Sequence, residues 1–320
     1  MKSILAADIG GTNSRFANFA LEENGSLSLV ESRWIETRKS TSFSHLLNLL
    51  DKTEFSLPPS QCDQAVFAVA GAVINGVYSN PPNISWDIDV SSSMKDFNLK
   101  RCILINDFAA QAFACRSPIV ASARQILAGE IDSAATLAVI GAGTGLGMAA
   151  LTPDGAGGYV VIPSEGGHCS FPFESQAEYD FMRFVIDELG APYVEAEFVV
   201  SGRGLSLIHQ FLSGLHLSAA EIGAGLSQDS ITLQWMARFY GRVCRNYALQ
   251  VLARGGVYIA GGVAAKVPDI VTHPEFTQQF HNSAMLSPML KKIPVYLIEN
   301  EESGLWGAAF LAAQNLRQNG

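Results

Sequence analysis

The sequence predicts an α/β protein made of two domains of related topology. Three observations carry that expectation. The stretch Thr136 to Leu151 (TLAVIGAGTGLGMAAL) reads as strand, tight glycine turn, strand. A second copy of the plan lies near the start, in Ile4 to Phe19 (ILAADIGGTNSRFANF), where an apolar strand meets Asp8 and Gly10-Gly11-Thr12-Asn13 turns the chain. Around each hairpin, strand-length apolar runs alternate with helical periodicity, as in a sheet with crossover helices and a mixed edge.

In the later hairpin, Leu137 to Ile140 is continuously apolar, as a strand buried on both faces should be. Gly141, Gly143, Gly145 and Gly147 then alternate with Ala142, Thr144 and Leu146. Glycine is needed where φ is positive or where a ligand approaches the backbone closely. Bare N–H groups beside one hydroxyl suit an oxyanion such as phosphate. Two such hairpins suggest two halves closing on one polyphosphate. Each could instead be an ordinary turn, but short glycine motifs rarely recur in matching context. The uncharged run Ser133 to Pro153 is long enough to span a bilayer, yet its glycines and central turn argue against a lipid-embedded helix.

Composition narrows the classes of partner. A chain of 320 residues with 48% hydrophobic residues can fill a sizeable core. Net charge is −9 and no basic stripe is visible, so nucleic acid is not expected as a partner. The five cysteines (62, 102, 115, 169 and 244) are odd in number and form no C-x-x-C pair, which reads as reduced thiols. The apolar run before Asp8 is too short for a signal peptide, so the expected compartment is the cytoplasm.

In chain order, Ile4 to Ala7, Arg15 to Ala20 and Leu27 to Glu36 read as strands. Thr41 to Leu50 has helical spacing behind a Ser/Thr cap. Pro58-Pro59 marks a loop, Ala65 to Ala70 a buried strand and Asn75-Gly76 a hairpin turn. Arg101 to Ile105 is a strand, followed at once by a helix over Phe108 to Cys115. In the second half, Ser175-x-x-Glu178 reads as a capping box before a helix that ends at Gly190. Ser201 to Leu212 and Gln228 to Ala253 are further helices, the latter closed by Arg254 and Gly255-Gly256. Val257 to Ala260 and Val295 to Ile298 are strands, Gly261-Gly262 opens a helix, and Gly304 to Arg317 is the terminal helix. The expected division is a small domain over 1–110, joined by the helix 304–320, and a large domain over 111–303.

A few residues stand out chemically. Asn106-Asp107 sits where a strand ends and a helix begins, the place where open α/β sheets bind ligands. The helix N-terminus favours an ionised carboxylate there, but Asp107 could equally just cap its helix. Glu165-Gly166-Gly167-His168 offers a carboxylate and an imidazole that suit adjacent sugar hydroxyls. A surface turn or a metal site would also account for it, although no cysteine cluster completes a zinc site. Glu197 alone reads as a solvated charge. Gly261-Gly262 could expose backbone to an adenine or ribose, or make a plain strand-to-helix turn.

Asp8 with Gly-Gly-Thr, joined to the later Gly-Thr-Gly hairpin, resembles the phosphate loops of the sugar kinase, heat-shock chaperone and actin superfamily. The set as a whole resembles the bacterial glucokinase family of the hexokinase-like group. The matching stretches are Asp8 to Asn13, Asn83-x-x-Trp86, Leu104 to Ala109, Gly141 to Gly147, Glu165 to His168, Glu197 to Gly202, Ile259 to Val263 and Ile293 to Ile298. They run in the family's order over nearly the whole chain. The resemblance implies an actin-like ATPase (ribonuclease H-like) fold with a cleft between the domains, and the terminal helix crossing back onto the first. It implies that Asp8, Gly10, Gly11, Thr12, Asn13, Gly143, Thr144, Gly145, Gly261 and Gly262 bind the nucleotide. Asn83, Asn106, Asp107, Glu165, His168 and Glu197 would bind the sugar. Asp107 would be the base for the 6-hydroxyl, and Asp8 would act near Mg²⁺ through water. Ser164, Ser170 and Pro81-Pro82 depart from the family pattern around the sugar pocket.

The expected activity is therefore ATP-dependent phosphorylation of glucose at the 6-hydroxyl. The resemblance also implies a homodimer, with no membrane partner. The alternatives are a ROK-type kinase for another hexose or amino sugar, and a non-catalytic sugar- or ATP-binding regulator. The first typically carries a cysteine-rich zinc motif after its histidine, and none follows His168.

Overall fold

A computed structural model describes residues 1–318, and its contacts divide the chain into two compact units. The first is Met1–Ser122 together with the C-terminal segment from Asn300, and the second is Ala123–Glu299. The expected packing of residues 319–320 lies outside the described residues.

The first unit is built on a five-stranded sheet. Its strands are β1 (Lys2–Ile9), β2 (Asn13–Leu21), β3 (Leu27–Glu36), β4 (Gln64–Val69) and, after three short strands, β8 (Cys102–Asn106). The short strands β5 (Val73–Ile74), β6 (Tyr78–Ser79) and β7 (Ile88–Asp89) form a small sheet of their own. The main order is β3-β2-β1-β4-β8. Pairing is antiparallel from β3 to β1 and parallel from β1 to β8. Asn75 and Gly76 turn β5 into β6 with φ of 51° and 70°, the left-handed pair that a tight hairpin needs. Helices α1 (Phe43–Asp51), α2 (Ser93–Phe97) and α3 (Asp107–Ala114) follow their strands. The α1 helix starts at Phe43, because the Ser42 hydroxyl accepts the His45 N–H and so makes Ser42 the cap.

The apolar run of β1 is buried on both faces for a visible reason. Leu5, Ala7 and Ile9 face Phe43, Leu46, Leu47 and Leu50 of α1. Ile4 and Ala6 face the C-terminal helix Ser303–Gln318 through Leu305, Ala308, Ala309, Ala312 and Ala313. That helix therefore belongs to the first unit, and α3 is held against it. A β-carbon on Gly307 would lie only 1.7 Å from the Ala110 carbonyl oxygen. This crossing keeps α3 and the 3-10 turn Pro118–Ser122 with the first unit.

The second unit repeats the topology. Its strands are β9 (Arg124–Leu127), β10 (Leu137–Ala142), β11 (Leu146–Pro153), β12 (Tyr159–Ser164), β13 (Val257–Ala260) and β14 (Val295–Leu297). They run in the order β12-β11-β10-β13-β14-β9, antiparallel up to β10 and parallel from β10 to β14. Eight helices pack around them: α4 (Gln176–Leu189), α5 (Gly202–Ser213), α6 (Ala219–Gly225), α7 (Ile231–Val251), α8 (Gly262–Lys266), α9 (Asp269–Thr272), α10 (Pro274–His281) and α11 (Ser287–Leu290). The core joins Ile140, Met148, Phe181, Trp235, Phe239 and Ile259.

Two local expectations change. Ser175 does cap α4, but the Glu178 carboxylate accepts from the Glu174 N–H rather than closing a capping box. Buried Arg242 holds the same carboxylate at 2.7 Å, and a guanidinium buried there would be costly to leave unpaired. The α7 helix ends at Val251, where Leu252 turns left-handed at φ 49°, ahead of the glycines expected to stop it. Strands β9 and β12 are not among the expected strands, although Tyr159-Val160-Val161-Ile162 is a strand-length apolar run. Both lie at sheet edges, and β12 turns Val160 and Ile162 to the surface, where burial does not enforce alternation.

Gly307→Val should drive a branched side chain into the α3 backbone and destabilise the first unit by about 1–3 kcal/mol. A urea unfolding curve reads this as a lowered midpoint. An unchanged midpoint would contradict the close crossing.

Candidate active site

In the first unit, three parallel strands bring their carboxyl ends side by side. Asp8 lies at the end of β1, Gly71 just past β4, and Asn106-Asp107 at the junction of β8 and α3. The Asn106 side chain does most of the local work. Its Oδ1 accepts the N–H groups of Phe108 (2.9 Å) and Ala109 (3.2 Å), so Asn106 is the helix cap. Its Nδ2 donates to the Gly71 carbonyl at 3.0 Å and to Asp107 Oδ1 at 2.9 Å. Asn106 is thus the principal cap, and Asp107 Oδ1 shares the Phe108 N–H at 3.0 Å while being held by the Asn106 amide.

Burial pushes the Asp107 carboxyl up to about 6, and the neighbouring Asp8 charge adds to the rise. Hydrogen bonds from Phe108 N–H and Asn106 pull the other way. Burial also raises Asp8, opposed by Arg15. Because the fold favours the protonated Asp107, that contribution to stability is complete below the ordinary 3.8 and is lost as pH rises through about 6.

The Asp8–Asn13 loop is shaped by close approaches. The Gly10 N–H donates to the Asn13 carbonyl at 3.2 Å. A β-carbon on Gly11 would lie 2.5 Å from the Asn83 carbonyl oxygen, so Gly11 and Asn83 are in contact. Pro82 in turn touches Gly71, which is held at φ +84°. One residue that sequence reading passed over stands here. Arg38 Nη2 donates to Thr12 Oγ1 at 3.0 Å.

In the second unit, β10 and β11 are joined by Gly143-Thr144-Gly145. None of these glycines has positive φ, contrary to one of the two reasons offered for them. A β-carbon on Gly143 would meet nothing within 4 Å, so no protein atom demands glycine there. The open space adjoins a cavity of about 750 Å³, lined in part by Gly143, Thr144, Gly202, Arg203, Gly262 and Lys266. Gly261 is explained by the backbone itself: φ is +88°, and a β-carbon would lie 2.6 Å from the Ala142 carbonyl oxygen.

Gly145 borders a second group. A β-carbon there would stand 2.7 Å from Glu197 Oε2. His168 Nδ1 is 2.7 Å from Glu195 Oε2 and 3.9 Å from Glu197 Oε1, while Nε2 is 3.8 Å from Glu165 Oε2. Gly167 is fixed by the Leu146 carbonyl oxygen, 2.1 Å from where its β-carbon would be, which docks the Glu165–His168 turn on β11. Ser164, a departure noted above, accepts the Gly166 N–H at 3.1 Å and steadies the same turn. Glu195 was not foreseen. It reaches His168 through an isolated bridge between Ser170 and Glu195, and the only sequence hint is the alternation Glu195-x-Glu197. Its hydrogen bond raises the His168 pKa, with Glu197 and Glu165 adding to it. The bond also occupies Nδ1 and leaves Nε2 for a ligand.

Each unit therefore presents a preorganised polar set: Asp8, Asn83, Asn106 and Asp107 in one, Glu165, His168, Glu195 and Glu197 in the other. Glu195→Gln removes the first cause of the His168 shift. NMR titration of the ring should then show its pKa falling toward 6.5. An unmoved titration would contradict the assigned pair.

Known proteins resemble this chain throughout its length. The glucokinase family model matches residues 5–315. A glucokinase from Trichormus variabilis is 32% identical, covering 98% of this chain and 100% of that relative. The crystal structure of a glucokinase from an Antarctic psychrotroph has a TM-score of 0.85 at 28% identity, covering 98% of this chain and 99% of its own. A ROK family glucokinase from Streptomyces griseus, in complex with glucose and AMPPNP, matches at TM-score 0.61 and 18% identity, over 98% of this chain and 99% of that one. At that identity the last likeness bears on the fold.

Proposed function

From the premise that this chain belongs to the glucokinase family, we propose how its own residues carry out the family's reaction. The enzyme is a hexose kinase that phosphorylates glucose at the 6-hydroxyl with ATP. The rival reading as a kinase for another hexose or amino sugar is not favoured. The observation that carries the mechanism is the division of labour at β8–α3. Asn106 supplies the main helix cap and fixes Asp107 Oδ1, which orients the carboxylate as the base.

Asp107 accepts the proton as the 6-oxygen of glucose attacks the terminal phosphorus. A group titrating near 6 is ionised at neutral pH yet still basic enough to take a proton. Asn106 holds Asp107 Oδ1, and its contact with Gly71 fixes the β4 end. Asn83, placed by Gly11, and Asn106 add contacts to the sugar. Glu165, Glu197 and the imidazole of His168, aligned by Glu195, take the remaining hydroxyls. Carboxylates that accept and an imidazolium that donates suit a run of vicinal hydroxyls.

The loops at Gly10 to Asn13 and Gly143 to Gly145 bind phosphates, and the cavity beside Thr144 takes the nucleoside. The open space around Gly143, beside the cavity lined by Thr144, supports the second assignment. The residues also fit Mg²⁺. Asp8 and Asp107 are carboxylates near enough for the charge of one to shift the other, and hard oxygen donors suit that ion. Asp8 would hold it through water, and when bound it would neutralise phosphate charge. The cytoplasm is the compartment in this reading, supported by five unpaired cysteines. Among the described residues no helix is long and apolar enough to cross a membrane. A homodimer is part of the same reading, supported by the family resemblance.

Asp107→Asn keeps shape and leaves the Asn106 cap in place. It should melt near the parent temperature, bind glucose and ATP, and lose about 10²-fold or more in kcat. Calorimetry and a coupled ADP-release assay check this together. Near-normal turnover would remove Asp107 as the base.

A further inference from the structure

Arg38 is the residue at the first phosphate loop that the family motifs do not account for. It lies in the single 3-10 turn Thr37–Lys39 that ends β3. That turn is locked from below. Thr37 is 2% exposed, and its hydroxyl pairs with the Ser14 hydroxyl at 2.7 Å in the interior. Ser14 directly follows Asn13, and Asn13 is registered opposite Glu36. The turn and the loop are therefore tied together by this contact and by the strand register.

The guanidinium is free of acids. Glu36, the nearest carboxylate in sequence, is taken by Lys39 at 2.7 Å. Among the described residues Arg38 has no ion pair. Its Nη2 donates to Thr12 Oγ1 at 3.0 Å, which leaves the Thr12 hydroxyl hydrogen and the remaining guanidinium N–H groups to donate outward. An unpaired arginine on an acidic chain, aimed at a glycine loop, matches an oxyanion with several equivalent oxygens.

We propose that Arg38 is a phosphate ligand of this kinase, donating to the terminal phosphoryl oxygens of the ATP held by the Asp8–Asn13 loop. This rests on the reading of that loop as a nucleotide site. During transfer the glucose 6-oxygen forms its bond to phosphorus. The bond from phosphorus to the bridging oxygen breaks, its electron pair leaves with ADP, and the hydroxyl proton passes to Asp107. Arg38 exchanges no atom. It offsets charge on the moving group, as arginines do in other phosphoryl transfers.

The test uses the full chain with Arg38→Gln, Arg38→Lys and Thr12→Val. Turnover is measured against Mg-ATP and glucose, and ADP binding by calorimetry. Hydrogen bonds to charged groups are worth about 1.5–3 kcal/mol, so Arg38→Gln should lower kcat/KM for ATP by about 10- to 100-fold. The KM for glucose and the affinity for ADP, which lacks the terminal group, should hold. Arg38→Lys should recover part of the loss. If Thr12→Val weakens nucleotide use while Arg38→Gln does not, Arg38 is not a ligand and the loop reading stands. If Arg38→Gln and Thr12→Val weaken ATP and ADP equally, Arg38 only braces Thr12 and the proposal fails. If neither variant alters any nucleotide parameter, the loop does not hold phosphate and both readings fall.

Discussion

Everything proposed for the first unit depends on which residue caps α3. A helix that starts at the end of a buried strand leaves its first N–H groups without partners. Some side chain must answer them. Asn106 does so with Oδ1 and still has an amide to spare for Gly71 and Asp107. Asp107 is left with a share of the Phe108 N–H and the Asn106 amide, both of which pull its pKa down. Burial and Asp8 nonetheless lift it. One amide side chain thus separates the structural task from the chemical one.

The same economy appears in the second unit. Gly167 is glycine because the Leu146 carbonyl oxygen occupies the space a β-carbon would need, and Gly145 lets the Glu197 carboxylate approach the turn closely. They seat the Glu165–His168 turn and Glu197 against β11, and Glu195 then fixes the histidine. In the same unit the buried ion pair of Arg242 with Glu178 ties α7 to α4. Removing one partner of such a pair leaves an unpaired buried charge and is strongly destabilising.

Much of this was legible in the sequence. Both glycine hairpins and the Asn106-Asp107 junction follow from apolar runs and turn residues that local physics constrains, whereas the return of the last helix came from the family resemblance. What escaped depends on contacts distant in sequence. Glu195 meets His168 through the pairing of residues 169–171 with 194–196, and Arg38 meets Thr12 where the β2–β3 register and the Thr37–Ser14 hydroxyl pair bring the two together. The end of α7 at Leu252 also escaped, since leucine gives no sign of a left-handed cap. Motifs mark where the backbone must bend, and the partners of polar side chains emerge from tertiary packing.

The central claim is that Asp107 is a base whose pKa is set by burial and by Asp8. The most direct measurement is kcat/KM for glucose across about pH 4.5 to 8 at saturating Mg-ATP. An acid limb should appear at about 6, falling tenfold per pH unit below it. The apparent value belongs to the coupled Asp8–Asp107 pair rather than to one carboxyl. A profile that stays flat to the ordinary aspartate range, near about pH 4, would contradict the account.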